Sequence, residues 1–341
     1  MWLGTVLAHV EKEVRSDWRC PAFAGSQSQG NSLHLILISI AGLVLLIVAG
    51  DLLVRGAVSL SLKLGIPALI VSLTVVAFGT SAPELLIAIQ SALEGAPGLA
   101  FGNVIGSNIA NILLVLGLPA VISGLHTAEC DTRHSYVQML AASVVFIVIC
   151  FLGPLYVLHG LILLSMLGYM LFSAARAAGR SRACDAGLEE GDAHMAGWKI
   201  TVFILAGIVG LPLGAHFLIE GATGLASKLG VSDAVIGLTL VAVGTSLPEL
   251  ATTVVAAIRR NADVALGNVI GSNMFNILGI MGVASFFGPL PLDRDLLYYD
   301  LWVMLAAALA ILPFVFRRRD ITRAIGVGFL LVYAVYLVTL F

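Results

Sequence analysis

Glu84 and Glu249 each lie within an apolar stretch, in the segments GTSAPEL (79–85) and GTSLPEL (244–250). Thr80 and Ser81 stand four and three residues before Glu84, a spacing that gathers two hydroxyls and a carboxylate on one side of a helix. Thr245, Ser246 and Glu249 repeat the arrangement. An ionised side chain at the centre of a bilayer costs about 2.5–3.5 kcal/mol on insertion scales. Two of them require compensation, and no basic residue is placed to pair with both, which leaves a bound cation as the partner. Pro83 and Pro248 add to the oxygen set: a proline inside a helix lacks an N–H and displaces the carbonyl four residues earlier, here Gly79 and Gly244. A proline kink alone is common in membrane helices. Duplicated beside a glutamate, it is read as a broken helix lining a binding cavity.

A second pair of segments, GNVIGSNIANIL (102–113) and GNVIGSNMFNIL (267–278), supplies more oxygen. Asn103, Ser107 and Asn111 recur every four residues and make one polar stripe, as do Asn268, Ser272 and Asn276; Gly102, Gly106, Gly267 and Gly271 let neighbouring helices approach closely. Ser107, Asn111, Ser272 and Asn276 are the ligand candidates. For Asn103, Asn108, Asn268 and Asn273, hydrogen bonding between helices stands at least level with ligation. The collected ligands are carboxylate, hydroxyl, amide and carbonyl oxygens, a set suited to hard cations such as calcium rather than zinc or copper. The seven histidines lie elsewhere. His216 and Asp51, related by the repeat, are read as packing or local hydrogen-bonding residues. Cys20, Cys130, Cys150 and Cys184 are scattered without metal-type spacing and read as ordinary thiols. Ser81 and Ser246 have no His or Lys base in their motifs, which argues against an enzyme; no cofactor and no nucleic-acid partner is expected.

The elements that must position these residues are membrane helices. Hydrophobic residues make up 59% of the chain and charged residues 11%, with a mean hydropathy of +1.03, far from the roughly 25% charged residues of a soluble domain. The pattern is that of an all-α polytopic membrane protein, with ten transmembrane helices expected near 34–56, 67–93, 99–123, 135–152, 155–176, 198–227, 232–258, 264–288, 299–316 and 322–341. The paired motifs share one displacement, from 79 to 244 and from 102 to 267, and KLG at 63–65 returns at 228–230 with the same shift, so the chain is an internal duplication. The expected organisation is a polar amino-terminal tail (1–32), a first five-helix repeat (33–177), a cytoplasmic loop (178–197) and a second five-helix repeat (198–341). The tail lacks the order of a signal peptide. An odd number of helices per repeat inverts the second copy relative to the first, as in secondary transporters. With the 178–197 loop inside, thirteen of the 18 Lys and Arg residues face the cytoplasm and five the outside, in agreement with the positive-inside rule. Both termini are then expected outside a cell membrane.

The paired GTSxPE and GNVIGSN segments resemble the two alpha repeats of the cation/calcium antiporter superfamily, especially its prokaryotic sodium/calcium exchangers. The resemblance covers essentially all ten expected helices. It implies calcium exchanged for sodium by alternating access, with Glu84 and Glu249 as central carboxylates. Around them it places Thr80, Ser81, Ser107, Asn111, Thr245, Ser246, Ser272 and Asn276, and it assigns the carbonyls of Ala77 and Ala242 to outer sodium sites. One departure bears on local charge and proton binding: Asn276 stands where some microbial members carry Asp. Calcium/proton exchange and potassium-dependent sodium/calcium exchange are the alternatives. A cation channel ranks below them, because channels usually build charged rings from several identical subunits.

Overall fold

In the computed structural model, the residues described are 32–339 except 129, 131, 181–194, 230–243, 293 and 295. The amino-terminal tail up to residue 31, most of the connecting loop and the first half of the expected 232–258 span therefore lie outside the described residues.

The first helix among the described residues is α1 (Ser32–Leu64), which runs past the carboxyl end of the expected span. Leu35, Gly42, Leu46, Ala49, Leu53 and Ala57 turn inward, while Leu37, Ile40, Leu43, Val44, Ile47 and Val48 remain exposed. Such an apolar exterior suits hydrocarbon rather than water. Its neighbour α7 (Gly197–Lys228) is almost as long. The two pack so closely that glycine is required: a Cβ on Gly42 would fall 2.4 Å from the Leu218 backbone nitrogen, and one on Gly214 2.9 Å from that of Leu46.

After α1 come α2 (Ala68–Thr80) and α3 (Ala82–Leu93), two helices bent by 47° where they meet. Residues 72–76 of α2 form a wider, π-helical turn. The chain continues through α4 (Pro97–Ser123), α5 (Arg133–Leu152) and α6 (Val157–Arg180). Beyond α7 lie α8 (Leu247–Ile258), α9 (Ala262–Phe287), α10 (Leu296–Arg317) and α11 (Arg323–Thr339). Among the described residues, seven of these helices are long and apolar enough to cross a membrane; α2 and α3 make an eighth span if taken as one, and α8 and α11 are shorter apolar helices.

The two GNVIGSN helices, α4 and α9, occupy the centre. Residues 262–278 of α9 are buried almost without exception, which a helix apolar on most sides and carrying one polar stripe can satisfy only inside the bundle. Gly267 and Gly271 bring α9 onto α2, where an added Cβ would lie 2.9 Å from the Leu69 carbonyl and 2.7 Å from the Leu73 carbonyl, respectively. At Gly102 and Gly106, where the sequence also predicts close approach, an added Cβ meets nothing within 4 Å among the described residues.

The duplication also shows at the ends of α3 and α8. Gly95 and Arg260, equivalent positions of the two copies, both take positive φ, 70° and 56°. In each case the next residue's N–H bonds back to the preceding helix, Ala96 to the Ser91 carbonyl and Asn261 to the Ala256 carbonyl, both at 2.8 Å. This is the glycine-type helix stop, kept in the second copy by an arginine.

Candidate functional site

The backbone at both glutamates departs from a helix at the same place. Ser81 has φ −85° and ψ 5°, and Ser246 φ −87° and ψ 4°. A new helix starts immediately after each, so Pro83 and Pro248 fall in a first turn, where a missing N–H is harmless. The break thus sits at the serine, and the proline begins the following helix instead of kinking a continuous one. Glu84 and Glu249 occupy the same first turns and are 99% buried.

Asparagines from the central helices hold the broken segments. The Asn103 amide donates to the Glu84 backbone carbonyl and the Asn268 amide to that of Glu249, each at 3.3 Å. Asn268 also donates to Thr253 Oγ1 at 3.1 Å; of the two roles left open for Asn103 and Asn268, both residues make hydrogen bonds between helices. Thr80 Oγ1 lies 3.4 Å from both Asn268 Oδ1 and Ser272 Oγ, joining α2 to α9. Ser81 Oγ donates to Glu249 Oε1 at 3.1 Å, so the serine of one copy serves the carboxylate of the other. The Ala77 carbonyl accepts from the Ser81 N–H at 3.0 Å and from Thr80 Oγ1 at 3.3 Å. Ser107, Asn111, Ser272 and Asn276 are all buried. Thr245 is half-buried, and Ala242 lies outside the described residues.

Buried polar atoms in native proteins nearly always find partners. Among the described residues, seven buried side-chain oxygens do not: both carboxylate oxygens of Glu84, Glu249 Oε2, Asn111 Oδ1, Asn276 Oδ1, Ser246 Oγ and, on α1, Ser59 Oγ. Six of the seven belong to residues singled out from sequence. All six can accept, and none is nitrogen or sulfur. Among the described residues no ion pair reaches either glutamate; Arg259, at the end of the Glu249 helix, bonds instead to Asp51 through Nε at 2.6 Å and through Nη2. Asp51 also pairs with Arg55 at 3.0 Å. Three carboxylate oxygens and three neutral oxygens, none of them receiving a hydrogen bond, are the ligand types that a hard cation takes. Among the described residues no cluster of three or more His, Cys, Asp or Glu side chains suggests a different metal.

Residues outside the motifs also contribute. Met139 and Met304 receive hydrogen bonds from Asn273 and Asn108. Methionine in an apolar span reads as core filling; their separation by the same interval as the motifs was the available signal.

A family model for sodium/calcium exchanger proteins matches residues 34–175 and 199–341. The chain is 36% identical over 311 residues to a putative antiporter, CaxA, of Alkalimonas amylolytica, a match covering 89% of this chain and 97% of that protein. It is 35% identical over an alignment of 344 residues to the sodium/calcium exchanger MaX1 of Methanosarcina acetivorans, covering 89% and 98% of the two chains. Among solved structures it is similar to the sodium-calcium exchanger NCX_Mj soaked without Na+ and Ca2+, with a TM-score of 0.79 and 31% identity over 91% of this chain and all of that one. The same exchanger soaked with 10 mM Na+ and 10 mM Sr2+ superposes with a TM-score of 0.77. The family model spans both copies of the motifs, and the relatives match over nearly their whole length: the chain belongs to the sodium/calcium exchanger family.

Proposed function

We propose that this protein carries calcium across the cell membrane in exchange for sodium, by alternating access around Glu84 and Glu249. The supporting observation is the group of six donor-free, buried oxygens on Glu84, Asn111, Ser246, Glu249 and Asn276. Thr80, Ser81, Ser107, Thr245 and Ser272 complete the candidate shell, and the Ala77 and Ala242 carbonyls are candidates for outer sodium sites. The reading takes the chain as ten spans in two inverted five-helix repeats, with the 178–197 loop in the cytoplasm and both termini outside. No covalent chemistry is involved.

Charge balance gives exchange a physical basis. Two ionised glutamates bind one calcium with net neutrality. Sodium ions neutralise the same oxygens when calcium leaves, so neither ion occupies the site fully beside the other. A buried carboxylate pair without any counterion is costly, which favours reorientation of the loaded carrier over the empty one and couples the two fluxes. Purified protein in vesicles loaded with sodium tests the coupling: an outward sodium gradient, at clamped pH and without potassium, is expected to drive calcium uptake. Uptake that ignores sodium and follows a pH gradient would assign the exchange to protons, and uptake requiring potassium would assign it to potassium-dependent exchange.

A further inference from the structure

The side-chain amides of Asn111 and Asn276 each have an acceptor end and a donor end, and only the oxygen end can serve a cation. Their hydrogen bonds decide which end is left free. Asn276 Nδ2 donates to Asn108 Oδ1, and Asn111 Nδ2 donates to Asn273 Oδ1, both at 3.1 Å. The remaining atoms, Asn276 Oδ1 and Asn111 Oδ1, are the ones left without a partner.

The orientation is imposed from further out. Asn108 Nδ2 faces the Asn273 backbone carbonyl at 3.4 Å and Met304 Sδ at 3.6 Å. A carbonyl oxygen and a thioether sulfur only accept hydrogen bonds, so Asn108 must turn its NH2 toward them and its Oδ1 toward Asn276. Asn276 must answer with its NH2, which leaves its oxygen to the site. In the other copy Asn273 Nδ2 faces Met139 Sδ at 3.8 Å, Asn273 Oδ1 meets the Asn111 NH2, and the Asn111 oxygen is left over. The two relays are related by the displacement of the repeat at every member: Met139 with Met304, Asn108 with Asn273, and Asn111 with Asn276. All six side chains are at least 97% buried, so no bulk water competes for the amides.

We propose that Asn108 and Asn273, held by Met304 and Met139, are positioning residues that keep the amides of Asn276 and Asn111 oxygen-first toward the carried cation. The proposal rests on the reading of this centre as a cation site. Without the relay an amide rotates freely between its two ends, and the NH2 end repels a cation.

A carboxylate has two equivalent oxygens and no wrong face, and this supplies the test. Calcium affinity is measured by calorimetry on the purified full-length protein for wild type, Asn108→Leu, Asn276→Asp and the double variant, with Glu84→Gln as a control for the site itself. Asn108→Ala, which removes the acceptor without adding bulk, accompanies Asn108→Leu so that a packing failure in one is visible in the other. The proposal expects Asn108→Leu and Asn108→Ala to weaken calcium binding about 10–100-fold in the wild-type background, the range typical of residues that orient metal ligands. In the Asn276→Asp background the same changes are expected to leave binding equal or tighter. Equal weakening in both backgrounds, or none in wild type, would overturn the positioning role while leaving the cation site standing. Wild-type protein that binds no calcium would overturn both.

Discussion

At the scale of single residues, charge decides what the centre can hold. Glu84 has neither oxygen satisfied, whereas Glu249 holds one hydrogen bond from Ser81. On the proposed function the two carboxylates share one task, since a divalent ion needs both for neutrality. A unit charge about 4 Å from another contributes about 4 kcal/mol at an effective dielectric of 20. Glu84→Gln and Glu249→Gln are therefore each expected to lower calcium affinity by more than about a hundredfold, with insertion into the membrane intact. Calcium flux into vesicles reads the effect, and transport at the wild-type rate by both variants would refute the site. These glutamates, their hydroxyl neighbours and the amides were legible in the sequence because an acidic residue in an apolar run is conspicuous and the pattern occurs twice. The methionines at 139 and 304 were not, because a thioether in a membrane helix fills space far more often than it accepts a hydrogen bond. Asp51 is expected from sequence to pack or to bond locally, and its pair with Arg55 one turn on is local; its second partner, Arg259, is distant in sequence, and only packing of α1 against α8 brings those two together.

At the scale of elements, the site depends on helices that meet at backbone distance. Gly271 lets α9 lie against α2, which places Ser272 beside Thr80. Gly271→Val would press side-chain atoms against the Leu73 carbonyl and the Ala77 methyl group, at a cost of about 1–3 kcal/mol. Gly168→Ala on α6 meets nothing within 4 Å and is expected to be neutral or stabilising by up to about 1 kcal/mol, since alanine is the better helix former. Thermal unfolding of the two variants in detergent measures the contrast, and equal midpoints would contradict the packing described. The positions of most helices were readable from apolar runs long enough to cross the hydrocarbon layer. Their breaks were less so. A proline marks the vicinity of the bend, but the serine before it carries the non-helical ψ, because the first turn of the next helix accommodates proline without loss. The helix of α1 continues past the expected 34–56 span to Leu64, where residues 57–64 mix serine, lysine and leucine and a hydropathy window cannot tell an amphipathic continuation from a loop.

At the scale of the whole molecule, the proposed architecture is an inverted duplication that carries charge. Single cysteines at Glu94, Lys228 and Arg294 are expected to react with an impermeant reagent from outside, and those at Arg180, Arg260 and Arg319 only after permeabilisation. Labelling of 94 and 260 from the same side would refute the inversion, since these positions follow corresponding helices of the two repeats. The duplication itself was plain in the sequence; its sense came from counting helices and basic residues, and labelling is the physical check on that count. Transport then follows from the balance of charge in the centre. If the proposed exchange is of three sodium ions for one calcium, the number that resemblance to the exchangers implies, calcium neutralises the two glutamates and sodium leaves one positive charge to cross the membrane. A charge crossing the full potential is worth about 2.3 kcal/mol per 100 mV. The most direct measurement is calcium uptake into sodium-loaded vesicles with the membrane potential clamped and the pH equal on both sides. Three sodium ions leaving for each calcium entering export one positive charge per cycle, so the account predicts faster uptake with the interior positive and slower uptake with the interior negative; uptake indifferent to both sodium and potential would contradict it.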